Sequence, residues 1–209
     1  MLSKVSGIPM LPEGSQARIL RFLWESRSEW SGREIARRLT LSAPACHEAL
    51  KKLDARGYVL FRRVSNLHLY KINPENYIVS DVFAPFFEAQ KAIPAEIARI
   101  IKKTLVDGTH GVIVRSLVLF GSRAKGEEDT ASDLDLLIVV PTERDLKRVE
   151  PELEKLRKLL AQRFNIPFSP YAQTVAGMRE KHHKKLPLVE RMLKEGQTLY
   201  GPSLQELLS

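Results

Sequence analysis

Between residues 15 and 26 the chain reads SQARILRFLWES, and its apolar residues Ile19, Leu20, Leu23 and Trp24 recur at the spacing of one helical face. Ser15 stands where it can cap that helix. The following SGREIARRL places Ser31 and Glu34 in capping-box register, in which each side chain satisfies one orphan backbone amide. After the short turn TLS, a third helical pattern runs from about Ser42 to Gly57, a residue suited to end it. Ala45, Ala49, Leu50 and Leu53 are expected to face a core there, with Ser42, Ala43, His47, Lys51 and Lys52 outward. The period then falls to two: YVLFRRV and LHLYKI alternate, and Ser65-Asn66 between them is hairpin chemistry.

The pattern changes again after Asn73-Pro74. The stretch PENYIVSDVFAPFFEAQKAIP holds three prolines and three phenylalanines, so it is a connection apolar enough to rest on a neighbour rather than a loose tether. A helix is predicted from Pro94, a favoured first helical residue, through AEIARIIKKTL. Apolar runs at 112–120 and 134–140 predict two strands, and Leu146, Val149, Leu153, Leu156, Leu159 and Leu160 predict a long amphipathic helix over 143–163. IPFSPYAQTV reads as a third strand and LPLVERMLKEG as a last helix before a QTLYG tail. The organisation expected is a small domain over 1–74, a linker over 75–94 and a second domain over 95–209.

Charge separates these parts. Residues 1–73 hold 13 Lys and Arg against 6 Asp and Glu, and residues 74–209 hold 20 against 19. Most of the net charge of +8 is therefore in the first third, which is how a chain meets a polyanion with one of its parts. Three helices followed by a two-stranded wing resemble a winged helix-turn-helix domain over about 15–73. The resemblance implies that the third helix enters the major groove of double-stranded DNA. Arg33 and Arg37, with Arg38, mark the preceding helix, and Arg62 and Arg63 mark the wing. With Lys51 they suit phosphate contacts, which give affinity without sequence information, while Ser42, Ala43 and His47 are placed to read base edges. Winged helices also dock proteins, and the basic excess favours DNA.

The stretch LFGSRAKGEEDTASDLDLLIVV, residues 119–140, carries the chemistry of the second part. Asp133 and Asp135 enter a strand at i and i+2, so they project from one face about 7 Å apart. Neighbouring carboxylates repel unless a cation lies between them. Paired hard oxygen ligands suit Mg²⁺ or Mn²⁺ shared with phosphate oxygens and water. Gly121 allows a close backbone approach, Ser122 adds a hydroxyl, and Arg123 and Lys125 add positive charge where an anion would sit. Arg123 serves equally well as a surface arginine.

This signature, a GS turn followed by an S-D-x-D strand, resembles the polymerase β-type nucleotidyltransferases, and the short frame is most similar to their minimal (MNT) branch. The fold class expected is α+β, a winged helix-turn-helix followed by a small mixed α/β nucleotidyltransferase domain. The resemblance implies transfer of a nucleoside monophosphate from an NTP, ATP being the expected nucleotide, with Asp133 and Asp135 as catalytic metal ligands and Gly121 and Ser122 on the triphosphate. It also implies a protein acceptor such as a HEPN-type toxin, and so an antitoxin-like role. The family carries a third carboxylate on a later strand, and Phe164 to Met178 contains no acidic residue. Ser169 or Gln173 stands in its place, and neither is a base at neutral pH. Two functions therefore remain in view: a DNA-binding nucleotidyltransferase, or a transcriptional regulator whose domain binds nucleotide without turnover. The single cysteine, Cys46, and the lack of a long apolar run point to a cytoplasmic protein off the membrane, and paired winged helices point to a homodimer.

Overall fold

The computed structural model describes residues 14–107, 114–121 and 133–209. The chain divides into two compact units, one within Pro9–Ala92 and one within Ile93–Ser209.

The first unit opens with α1 (Ser15–Ser26), whose Ile19, Leu20, Leu23 and Trp24 are buried as their spacing requires. Its N-cap is Gly14 rather than Ser15, which takes the first helical position, and no side chain caps it. β1 (Trp30–Ser31) leads into α2 (Gly32–Arg38), where Ser31 and Glu34 form the expected capping box. α3 (Ala43–Ala55) is capped by Ser42, and the chain leaves it through Gly57 at φ +70. Its buried stripe is Cys46, Ala49, Leu50 and Leu53, and Ala45 is exposed. Only 46, 49, 50 and 53 follow the i, i+3, i+4, i+7 rule of one helical face, which is why Cys46 displaces Ala45. Burial also raises the Cys46 thiol pKa. β2 (Val59–Val64) and β3 (Leu67–Ile72) form the wing, turning through Ser65 at φ +53. β1 pairs with β3, giving the order β1-β3-β2 and a winged helix-turn-helix.

The prolines and phenylalanines that follow are helical. A π-helical turn, Val79–Phe83, runs into α4 (Ala84–Lys102), which begins ten residues before the predicted start and carries Pro94 inside. An interior proline forfeits a backbone hydrogen bond and costs about 3 kcal/mol. Val79, Ala84 and Phe87 are buried with α1 and α3, an apolar gain that offsets this cost and sets the earlier start.

The second unit is built on a four-stranded sheet in the order β6-β5-β4-β7. β4 (Ser116–Phe120) and β5 (Leu134–Val140) are antiparallel. α5 (Glu143–Phe164) then carries the chain to β6 (Phe168–Thr174), which runs parallel to β5. α6 (Val175–His183) and α7 (Pro187–Glu195) follow. The QTLYG tail is no tail: Gln197–Tyr200 forms β7, antiparallel to β4, and α8 (Leu204–Leu208) ends the chain described. Strand alternation sorts β5 into two layers. Leu134, Leu136, Ile138 and Val140 share a core with Ile97 and Ile101 of α4 and Leu153 and Leu156 of α5. Leu137 and Val139 share another with Met178 of α6, Val189 and Met192 of α7 and Leu204 of α8. No helix among the described residues is long and apolar enough to cross a membrane.

Candidate functional site

The acid pair sits where β5 enters the sheet. Asp133 precedes the strand and is exposed, while Asp135 is its second residue and half-buried. Both belong to the face of Leu137 and Val139, the layer covered by α6, α7 and α8. Phe120, the last residue of β4, is the register partner of Asp135, so the chain leaving β4 turns beside that carboxylate. Gly121 makes the turn at φ +79, and a Cβ built on it would lie 2.1 Å from Asp135 Oδ2. Glycine is required twice here, by the left-handed backbone and by the carboxylate in the only space a side chain would have. Ser122, Arg123 and Lys125 lie outside the described residues.

On the other side of β5, Ser169 of β6 is the register partner of Asp135, and its hydroxyl donates to Asp133 Oδ2 at 2.5 Å. Of the two residues considered for the place of the third carboxylate, Ser169 lies beside the acid pair. Gln173 pairs with Val139, four residues further along the strand. At ~3.3 Å per residue that puts it about 13 Å from the acids. Glu180 is on α6, exposed, and held below the usual carboxylate range by its hydrogen bond to Lys184.

Burial pushes the Asp135 pKa up, the Asp133 charge adds to this, and Arg191 of α7 opposes it. Arg191 was not singled out from sequence, because LPLVERMLKEG shows only that it is polar on an amphipathic helix. Its place follows from tertiary pairing. β7 begins at Gln197 beside Leu119, so α7 ends at the Gly121 end of the sheet. Gly196 closes that helix with no room for a Cβ against Met192 O at 2.4 Å and Val118 Cγ1 at 2.7 Å.

The two carboxylates are hard oxygen donors, and among the described residues no group of three or more His, Cys, Asp or Glu is placed to hold a metal ion. Such a set fits a Mg²⁺ or Mn²⁺ ion that keeps ligands from phosphate and water, and does not fit an all-protein cage.

The residues expected on DNA are spread over the surface of the first unit. Arg33, Arg37, Ala43, His47 and Lys51 are exposed. Ser42 Oγ accepts the Ala45 amide at 3.3 Å as the helix cap, which leaves its proton as the group free to donate. Arg63 Nε donates to Ser65 O at 3.1 Å. Arg62 is engaged by Glu29 through three hydrogen bonds of 2.6–3.1 Å, an ion pair that sequence spacing did not reveal because the partners are 33 residues apart. Arg38 stacks over Trp30 at 4.4 Å.

Comparison with known proteins finds the nucleotidyltransferase domain family matching residues 96–189. No curated protein matches the chain. Among solved structures, a mutant apo form of Lactococcus lactis ZitR is 25% identical over 41% of this chain and 65% of that chain, with a TM-score of 0.34. A toxin–antitoxin complex with AMP-PNP is 16% identical over 53% of this chain and 77% of that one, with a TM-score of 0.35. A mutant of the toxin–antitoxin MntA–HpeT is 14% identical over 53% and 80%, with a TM-score of 0.36. The chain spans less than two thirds of the ZitR chain.

Proposed function

We propose, with residues 96–189 as a nucleotidyltransferase domain, that the protein binds a metal–NTP at Asp133 and Asp135 and transfers the nucleoside monophosphate to a protein or nucleic-acid acceptor. The N-terminal unit, in this reading, holds double-stranded DNA through its exposed basic residues. The observation that carries the proposal is the convergence of Gly121 and Asp135, which packs a side-chain-free backbone turn directly against one carboxylate of the acid pair, so that a phosphate at the turn and a metal on the acids would be neighbours. Gly121, with Ser122, Arg123 and Lys125, takes the triphosphate, and Asp133 and Asp135 hold one or two Mg²⁺ or Mn²⁺ ions. Bound there, the metal supplies charge neutralisation for the attacking and leaving oxygens of an in-line displacement. The chain itself positions: Asp135 is fixed between Phe120 and Ser169 by sheet pairing, and Arg191 offsets part of the negative charge around it. ATP is the nucleotide proposed. A HEPN-type toxin, the acceptor implied by the MNT resemblance, would make the protein antitoxin-like.

A second reading has its own observation. Ser169 stands beside Asp135, and the third carboxylate that the family resemblance implies is absent from Phe164 to Met178, which favours a transcriptional regulator that binds nucleotide without turning it over. Both are tested by incubating the protein with labelled ATP, Mg²⁺ or Mn²⁺ and candidate acceptors, beside Asp133→Ala and Asp135→Ala. Label on an acceptor that requires both aspartates supports transfer, and metal-dependent binding without acceptor label supports the regulator. Label or binding that survives loss of both aspartates overturns the site.

A further inference from the structure

Across the sheet the order is β4, β5, β6, which sets Gly121 on one side of the acid pair and Ser169 on the other. An in-line displacement at phosphorus has the same shape, with leaving group and nucleophile on opposite sides of the reacting centre. With a triphosphate turned toward Gly121, the side from which attack comes is the side of Ser169. The hydroxyl there is half-exposed and already donates its proton to Asp133 Oδ2 at 2.5 Å, and no carboxylate from Phe164 to Met178 occupies the position instead.

We propose that Ser169 is itself an acceptor, so that the protein nucleotidylates its own β6 strand. The inference rests on the metal–NTP reading of the site and gives it a substrate within the chain. Ser169 Oγ bonds to the α-phosphorus of the NTP, the bond from that phosphorus to the bridging oxygen of the β-phosphate breaks, and pyrophosphate leaves. The hydroxyl proton passes to Asp133 Oδ2 along the existing hydrogen bond. The product is a phosphodiester joining serine to a nucleoside monophosphate. Because it stands beside Asp135, it blocks the site that made it, and the reaction stops at one event per chain. The missing third acid is then the mark of a site that modifies itself once, with a nucleophile where a base would be.

The test uses the full chain with Mn²⁺ and ATP, followed by intact-mass analysis, peptide mapping and, separately, calorimetry of Mn²⁺–ATP binding. One nucleoside monophosphate per chain on Ser169 is expected, with α-phosphate label retained and γ-phosphate label lost to pyrophosphate. Ser169→Ala is expected to label at least ~100-fold more slowly while still binding Mn²⁺–ATP, and Ser169→Thr, which keeps a hydroxyl, to label partly. Wild-type protein that binds the nucleotide and stays unlabelled overturns this inference alone, as does label that persists in Ser169→Ala or maps elsewhere. Wild-type protein that does not bind the nucleotide overturns the site reading and this inference together.

Discussion

In the first unit the residues proposed to act are spread over an exposed surface, whereas in the second they converge on a point too tight for one methyl group. Arg33, Arg37, Lys51 and Arg63 each offer a charge to solvent, and none depends on the placement of another. Asp135 is bounded by Gly121 at the turn after β4, Ser169 on β6 and Asp133 two residues away. A surface built from summed charges loses function gradually as members are removed. A site built from mutual placement loses it at once, because each residue sets the geometry of the others.

The largest test of this difference is Asp133→Asn or Asp135→Asn. Each keeps the side-chain shape and removes a carboxylate proposed to hold the metal, so nucleotide transfer, followed by release of labelled pyrophosphate, is expected to fall at least ~1,000-fold. Gly121→Ala comes next. The added Cβ meets Asp135 Oδ2 at 2.1 Å in a left-handed backbone. Nucleotide affinity measured by calorimetry is expected to drop ~10–100-fold, and stability by ~1–2 kcal/mol from the backbone alone. An unchanged affinity would show that the turn does not touch the ligand.

In the basic unit, Lys51→Ala or Arg63→Ala should weaken duplex binding only ~3–10-fold in fluorescence anisotropy and lower the salt slope by about 1. Arg62→Ala should cost less, since Glu29 already neutralises that guanidinium, and Glu29→Gln should tighten DNA binding by releasing it. Equal effects from Arg62 and Arg63 would mean that DNA displaces Glu29 outright.

The smallest effect is on stability. Asp135 has its folded pKa raised, first by burial and then by Asp133. The folded protein therefore holds that proton more tightly than the unfolded chain. The associated stability is present below the unfolded value of ~4 and is lost as pH rises through the folded value. Asp135→Asn removes the penalty, so without metal the variant should melt higher than wild type at neutral pH. Solvent screening at this half-exposed rim limits the gain to a few tenths of a kcal/mol, or ~1–2 °C. The gap should close as pH falls below ~4 and reverse when Mg²⁺ and nucleotide are added to wild type.

The same division governs what could be read in advance. The three helices and the wing were legible because each is a local pattern: the capping box at Ser31 and Glu34, the stripe at Ile19, Leu20, Leu23 and Trp24, the alternation on both sides of Ser65-Asn66. α4 began early because buried Val79, Ala84 and Phe87 outweighed the start signal at Pro94. β7 was missed because four residues carry too little pattern, and Gln197–Tyr200 is a strand only through its pairing with β4. Arg191 was missed for the same reason, its position being fixed by that pairing.

By itself the sequence determined the two-part layout, the basic character of the first part and the pairing of two aspartates on one strand face, because periodicity and charge are properties of neighbouring residues. Only the tertiary structure decided that Gly121 presses on Asp135, that Ser169 rather than Gln173 stands beside it, and that Glu29 takes Arg62. Those contacts join residues far apart in the chain, and their geometry is fixed by strand register and core packing, which no local pattern encodes.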